Sequence, residues 1–168
     1  WDQLKDLTTE ELTRWRIDPI KNNRSPEERG INLPMPCGWF VVCYSDELEI
    51  GEVKPVNYFE RELVVWRGED GNPRVLDAYC PHLGAHMGYG GKVNGNDLQC
   101  PFHSWQWDGD GACVDVPYSK SIPPKMKKPA CERAYHTRET SGFIWMWYHP
   151  EGAEPTYEPR TFDEVADP

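Results

Sequence analysis

Two short loops hold the residues of this sequence best suited to chemistry. Cys80-Pro81-His82 reads C-x-H and Cys100-Pro101-Phe102-His103 reads C-x-x-H, with 17 residues between His82 and Cys100. Each motif follows a β-rich segment and contains a proline, so both are expected in turns at strand ends. Thiolate and imidazole are metal donors, and the set leaves two metal readings open. A structural zinc accepts Cys₂His₂ in one tetrahedron, but its usual spacing pairs like with like, C-x₂₋₄-C against H-x₃₋₅-H. A two-iron cluster suits loops that each offer one thiolate and one imidazole, because each loop gives its Cys to one iron and its His to the other. The bland alternative, four unrelated loop residues, must explain why the two halves carry parallel chemistry.

Other candidates are weaker. His86 follows His82 by four residues and is expected to pack or hydrogen-bond within the first loop. A mononuclear oxygen-activating iron needs two His, one carboxylate and open positions. After His103 only His136 and His149 remain, and neither stands in a D-x₂-H-x₄-H pattern, so that iron is not expected in this chain. Cys37, Cys43, Cys113 and Cys131 form no C-x-x-C pair and are expected as free thiols, Cys43 and Cys113 packing as small apolar groups. Trp66, Trp105, Trp107, Trp145 and Trp147 fall on expected strands, where core packing and shielding are the natural roles. Lys120, Lys125, Lys127 and Lys128 make the basic run of an acidic chain. A solvated loop is the expectation there, and a docking surface for an acidic protein the sharper alternative.

The elements that must position the two loops are strands. Trp39 to Tyr44, Val53 to Phe59, Glu62 to Arg67 and Arg74 to Tyr79 are β-rich, and Pro55 marks its strand as an edge. Asp70-Gly71, Asn94-Gly95 and Asp108-Gly109-Asp110-Gly111 supply hairpin turns. Lys92-Val93, Asp97 to Gln99, Trp105 to Trp107 and Cys113 to Val116 flank the last two turns; Arg133 to Arg138 and Phe143 to Tyr148 follow. This spacing predicts an all-β fold of two packed antiparallel sheets, with a smaller loop-bearing subdomain over about 78–118. Residues 1–36 read as an N-terminal extension with a capping box at Thr8 to Glu11, and 37–150 as the domain. The acidic, Pro-rich stretch 151–168 reads as a linker.

Composition excludes several function classes. The 168 residues carry 28 Asp and Glu against 18 Lys and Arg, a net charge of −10. Nucleic acids and anionic membrane surfaces both select basic stripes, so neither is an expected partner. The longest strongly apolar run, Phe143 to Tyr148, is far short of the roughly 20 residues of a membrane helix. No signal-peptide pattern opens the chain, and the thiols form no dense framework, which points to a reducing cytoplasmic location. The chain begins with Trp1 rather than Met, so either residues have been removed or this is a piece of a longer protein.

Together these residues resemble a Rieske protein. Val75 to His86, including Cys80-Pro81-His82-Leu83-Gly84-Ala85-His86, and Cys100-Pro101-Phe102-His103-Ser104-Trp105-Gln106-Trp107 carry the resemblance. Asp108 to Gly111 and Val116-Pro117-Tyr118 extend it. It covers roughly 38 to 150 and is similar to the N-terminal domain of Rieske non-haem iron oxygenase α-subunits. The subgroup it most resembles contains the 3-ketosteroid 9α-hydroxylase oxygenases and the cholesterol 7-desaturases. The resemblance implies a Rieske iron–sulfur fold with a [2Fe–2S] cluster on Cys80, His82, Cys100 and His103, and reduction at the iron bearing the two histidines. It implies a reductase as electron donor, and a mononuclear iron in an absent catalytic domain as acceptor. That iron activates O₂ to hydroxylate or desaturate a hydrophobic ring, and the assembly is a trimer. A free-standing Rieske ferredoxin is the alternative.

Charge explains why such a centre differs from a four-cysteine one. Two ferric ions, two sulfides and two thiolates sum to zero, and one electron makes the cluster −1. Four thiolates would start it at −2, so neutral imidazoles ease reduction, and Rieske centres span roughly −150 to +300 mV. In the high-potential cytochrome type, each loop adds a disulfide cysteine, and Ser and Tyr hydroxyls lie near the cluster. Those four positions are Ala85, Phe102, Trp105 and Trp107 here, which implies a low-potential centre.

Overall fold

The computed structural model describes residues 36–126 and 132–162. The capping box at Thr8, together with Lys127, Lys128 and Cys131, lies outside the described residues. Among those described, no helix is long and apolar enough to cross a membrane. The fold is all-β. Strands β1 (Gly38–Tyr44), β10 (Thr137–Thr140) and β11 (Phe143–Tyr148) form one antiparallel sheet in the order β1-β11-β10. Strands β2 (Val53–Tyr58), β3 (Arg61–Arg67), β4 (Pro73–Asp77) and β9 (Ala134–Tyr135) form a second, in chain order. A third sheet of short strands holds β5 (Lys92–Asn94), β6 (Asp97–Gln99), β7 (Gln106–Trp107) and β8 (Cys113–Asp115). The two packed sheets and the small subdomain are those expected from the turn spacing.

The second sheet lies between two cores, and this explains its sequence. Leu63, Val64, Val65 and Trp66 on β3 are all fully buried, an unbroken apolar run rather than an alternation. Side chains on a strand point alternately to opposite faces. Leu63 and Val65 therefore enter a core with Val42, Ile144 and Met146 from the first sheet. Val64 and Trp66 enter the other core, with Leu98, Cys100 and Trp107 of the subdomain. Each such side chain contributes about 1.5–3 kcal/mol on burial. Pro55 sits on β2, the edge strand, where its missing N–H costs no ladder bond.

Two local departures from the expected strands have physical causes. The expected strand Arg133 to Arg138 divides at His136: β9 pairs with β4, whereas β10 pairs with β11. The chain thereby steps from one sheet to the other. The expected strand Val53 to Phe59 ends at Tyr58, because Phe59 and Glu60 form a tight turn with φ of 54° and 59°. Non-glycine residues resist this left-handed backbone. Here the Phe59 ring stacks on Tyr148, with centroids 3.9 Å apart, and packing offsets the backbone cost.

Beyond β11 the described part of the stretch expected as a linker, 151–162, lies along the first sheet. Trp147 donates its indole N–H to the Ala153 carbonyl at 2.7 Å, and Trp39 donates to the Tyr157 carbonyl at 2.6 Å. Arg138 pairs with Glu158 at 2.8 Å.

One buried cation ties the two larger sheets together. Arg67, 8% exposed at the end of β3, donates to the carbonyls of Leu48, Gly71 and Ser45 and grips both Glu139 oxygens of β10 at 2.7 Å. Hydrogen bonds from Arg67 hold the Glu139 carboxyl below its usual range, against an opposing push from burial. A carboxyl with a depressed folded pKa contributes its full stability above the ordinary carboxylate pKa and loses it as pH falls through the folded value. Glu139→Ala, which strands a buried guanidinium, is expected to cost about 3 kcal/mol in urea unfolding at neutral pH. That cost should shrink as the pH is lowered below about 4. An equal cost at both pH values would contradict the assignment.

Candidate metal centre

The two Cys–His loops are turns of equal length built by the same backbone bonds. In the first, which leaves β4, the Cys80 N–H donates to the Ala85 carbonyl at 2.9 Å and the Gly84 N–H to the Cys80 carbonyl at 2.8 Å. In the second, which leaves β6, the Cys100 N–H donates to the Trp105 carbonyl at 2.8 Å and the Ser104 N–H to the Cys100 carbonyl at 3.0 Å. The fifth residue of each turn has positive φ, 74° at Gly84 and 59° at Ser104. The histidines differ by one place: His82 is third in its turn and His103 fourth.

This geometry sorts the donors by type. Both thiols turn inward, with Cys80 and Cys100 buried in the core shared with Met87, Leu98 and Trp107. Both imidazoles stay at the surface end, half-buried, their ring centroids 4.9 Å apart at 69°. Burial pushes the Cys80 thiol well above its ordinary pKa, and the adjoining Cys100 adds to this; the His82 backbone N–H and the Trp107 indole oppose it. The Nδ1 of His103 is buried and has no hydrogen-bond partner. Such an orphan nitrogen costs about 1–3 kcal/mol unless something binds it. Among the described residues, no three His, Cys, Asp or Glu side chains converge on a single ion. Two like pairs side by side suit a two-iron cluster, which asks only two protein donors of each iron. The donor chemistry fits that group.

A family model for the Rieske [2Fe-2S] domain matches residues 38–127, more than half of the chain and both loops. The chain belongs to the Rieske [2Fe–2S] family. Its family cofactor is the [2Fe–2S] cluster. Cholesterol 7-desaturase of Bombyx mori is 42% identical over 134 residues, 80% of this chain and 29% of that protein. The oxygenase component of 3-ketosteroid-9-alpha-monooxygenase from Rhodococcus rhodochrous is 38% identical over 72% of this chain and 30% of its own length. The chain therefore spans about a third of the curated relatives it matches. Among solved structures, dicamba monooxygenase with non-heme iron and dicamba aligns at 28% identity with a TM-score of 0.63, over 74% of this chain and 37% of that one.

The surroundings of the Rieske loops contain residues that the motifs alone do not reveal. Trp105 lies nearly parallel to His82, centroids 4.1 Å apart and planes 10° apart, and donates its indole N–H to the Tyr118 hydroxyl at 2.5 Å. Phe102 packs on His103 at 3.9 Å. Glu62 at the start of β3 receives the Tyr79 hydroxyl and lies 3.5 Å from the His86 Nε2. Because His86 Nδ1 accepts the Gly88 N–H, its ring proton sits on Nε2 and faces Glu62. One carboxylate thus pins the first loop on both sides of Cys80 and His82, and His86 serves as its hydrogen-bond partner within that loop. No local pattern in the sequence marks Glu62. Lys120 is exposed, as a solvated loop requires.

The shared turn geometry predicts opposite effects at its two positive-φ positions. An alanine Cβ at Gly84 meets nothing within 4 Å, so only backbone strain opposes it. Gly84→Ala should therefore destabilise by about 1–2 kcal/mol in urea unfolding. Ser104→Gly relieves the same strain and should be neutral or stabilising by up to about 1 kcal/mol. A neutral Gly84→Ala would show that the turn does not need its left-handed residue.

Proposed function

We propose that Cys80 and Cys100 hold one iron of the cluster, that His82 and His103 hold the other, and that the chain delivers single electrons within a non-haem iron oxygenase. The family match across both loops carries this reading, and the inward pairing of thiols and outward pairing of imidazoles supports it. When bound, the cluster stores and releases one electron. Around it, the neutral imidazoles keep the site's charge low, and their half-exposed rings are the point of entry and exit. Trp105 covers one face of His82. Leu83 and Phe102, 65% and 63% exposed, give the loop tips an apolar rim of the kind that marks a contact surface.

The donor on this reading is a reductase, and the acceptor a mononuclear iron in a following catalytic domain. Residues 37–150 form the Rieske domain, about 78–118 its cluster subdomain, 1–36 an extension, and 151–168 the lead toward the catalytic part. The identities to the cholesterol 7-desaturases and to the 3-ketosteroid monooxygenase component favour a sterol or steroid ring as the substrate of the whole protein. They also favour an oxygenase over a free ferredoxin. A cytoplasmic location and a trimer complete the proposal.

Three measurements test it. Reduction of the iron-loaded protein should give a rhombic EPR signal, and His82→Cys should shift that signal while leaving the protein folded. A colourless protein holding one zinc would overturn the ligand assignment. With Trp105 and Trp107 in place of hydroxyl donors, the midpoint should fall in the lower part of the roughly −150 to +300 mV Rieske range; a clearly positive value contradicts a low-potential centre. Codons after Pro168 should encode a D-x₂-H-x₄-H motif, and a stop codon there would return the reading to a ferredoxin.

A further inference from the structure

We propose that the indole N–H of Trp107 donates a hydrogen bond to the Cys80 sulfur of the bound cluster, and that this bond raises the reduction potential. The inference rests on the ligand assignment above and deepens it. Sequence reading places Trp107 where high-potential relatives carry a hydroxyl, and so expects no donor to sulfur there.

The structure places a different donor at that position. Trp107 on β7 is 0% exposed and packs in the same core as Cys80 and Cys100. Its Nε1 is buried and meets no acceptor in full hydrogen-bond geometry. The indoles of Trp39, Trp66, Trp105, Trp145 and Trp147 all donate: to the carbonyls of Tyr157, Asn96, Thr140 and Ala153, or, for Trp105, to the Tyr118 hydroxyl. Trp107 alone among these six has no such partner, and it lies in the buried core that holds the Cys80 and Cys100 sulfurs. A buried N–H without a partner is costly, so its persistence calls for an acceptor. A neutral thiol accepts weakly, whereas a charged sulfur is a strong acceptor. Metal binding strips the thiol proton and supplies that acceptor.

The effect on potential follows from charge. One electron enters from a chemical reductant, and a cluster held by these four residues would pass from 0 to −1. The added charge spreads onto the ligand sulfurs, and an N–H dipole aimed at one of them stabilises the reduced form more than the oxidised form. Trp105 has no such effect, because its N–H is taken by Tyr118.

The experiment is a dithionite titration of the iron-loaded full chain, read by EPR, with Trp107→Phe and Trp105→Phe as variants. Trp107→Phe keeps an aromatic ring and loses only the donor. It should favour the oxidised form about tenfold, a fall of about 59 mV for a one-electron couple. A purely structural role would lower thermal stability without moving the midpoint. Pulsed EPR of the parent labelled with ¹⁵N-indole tryptophan reads the contact without any substitution at position 107. A nitrogen coupling should be present in the parent and survive in Trp105→Phe. No coupling, or an unchanged midpoint in cluster-loaded Trp107→Phe, overturns the proposal. A parent with no rhombic signal would instead sink the ligand assignment, so the two failures are distinguishable.

Discussion

The structure depends on seating two thiols in a dry core while keeping two imidazoles together at the surface. Neither group tolerates the other's place. Thiols brought to the surface would be open to oxidation, and imidazoles taken wholly inside would bury polar ring nitrogens. Two equal turns meet both demands, because the first residue of each faces inward and the third or fourth faces outward. Cys80 and Cys100 supply the former, His82 and His103 the latter.

Turns of this kind hold their shape only on a stiff base, and the central sheet is that base. β4 leads into the first loop, and β3 beside it is buried on both faces. One face packs against the first sheet and the other against the subdomain, so the loops inherit the rigidity of both cores. Arg67 matters for the same reason. It satisfies three carbonyls and a carboxylate at the junction of the sheets, on the same strand whose other end carries Glu62.

Much of this was legible in the sequence, and the unread parts share a cause. Asp70-Gly71 and Asn94-Gly95 announce their hairpins because glycine there adopts the positive φ that the turns need. Phe59-Glu60 and Ser104 adopt the same backbone without glycine, held by packing or by loop bonds that form only in the folded chain. The two Cys–His motifs stand out because their residue types are rare and their spacing parallel. Glu62 is invisible by comparison: an acidic residue at a strand start has many ordinary explanations, and only the return of Tyr79 and His86 to it gives it a role. The split of one expected strand at His136 was hidden likewise, since both halves carry strand-like sequence and only their partners differ.

Aromatic residues explain how a half-exposed site keeps a controlled environment. Water at the His82 face would vary with every motion of the loop. Trp105 displaces it from one side with a flat, polarisable ring, and its bond to Tyr118 fixes the ring's tilt. Phe102 packs against His103 at a tilt of 45°. Tyr118 is itself 64% exposed, so the bracing is anchored in solvent while the braced ring is buried. Shielding from the side and exposure at the tip are compatible because stacking covers ring faces and leaves ring edges free. The rings of His82 and His103 therefore stay half-exposed, while the sulfurs of Cys80 and Cys100 stay dry.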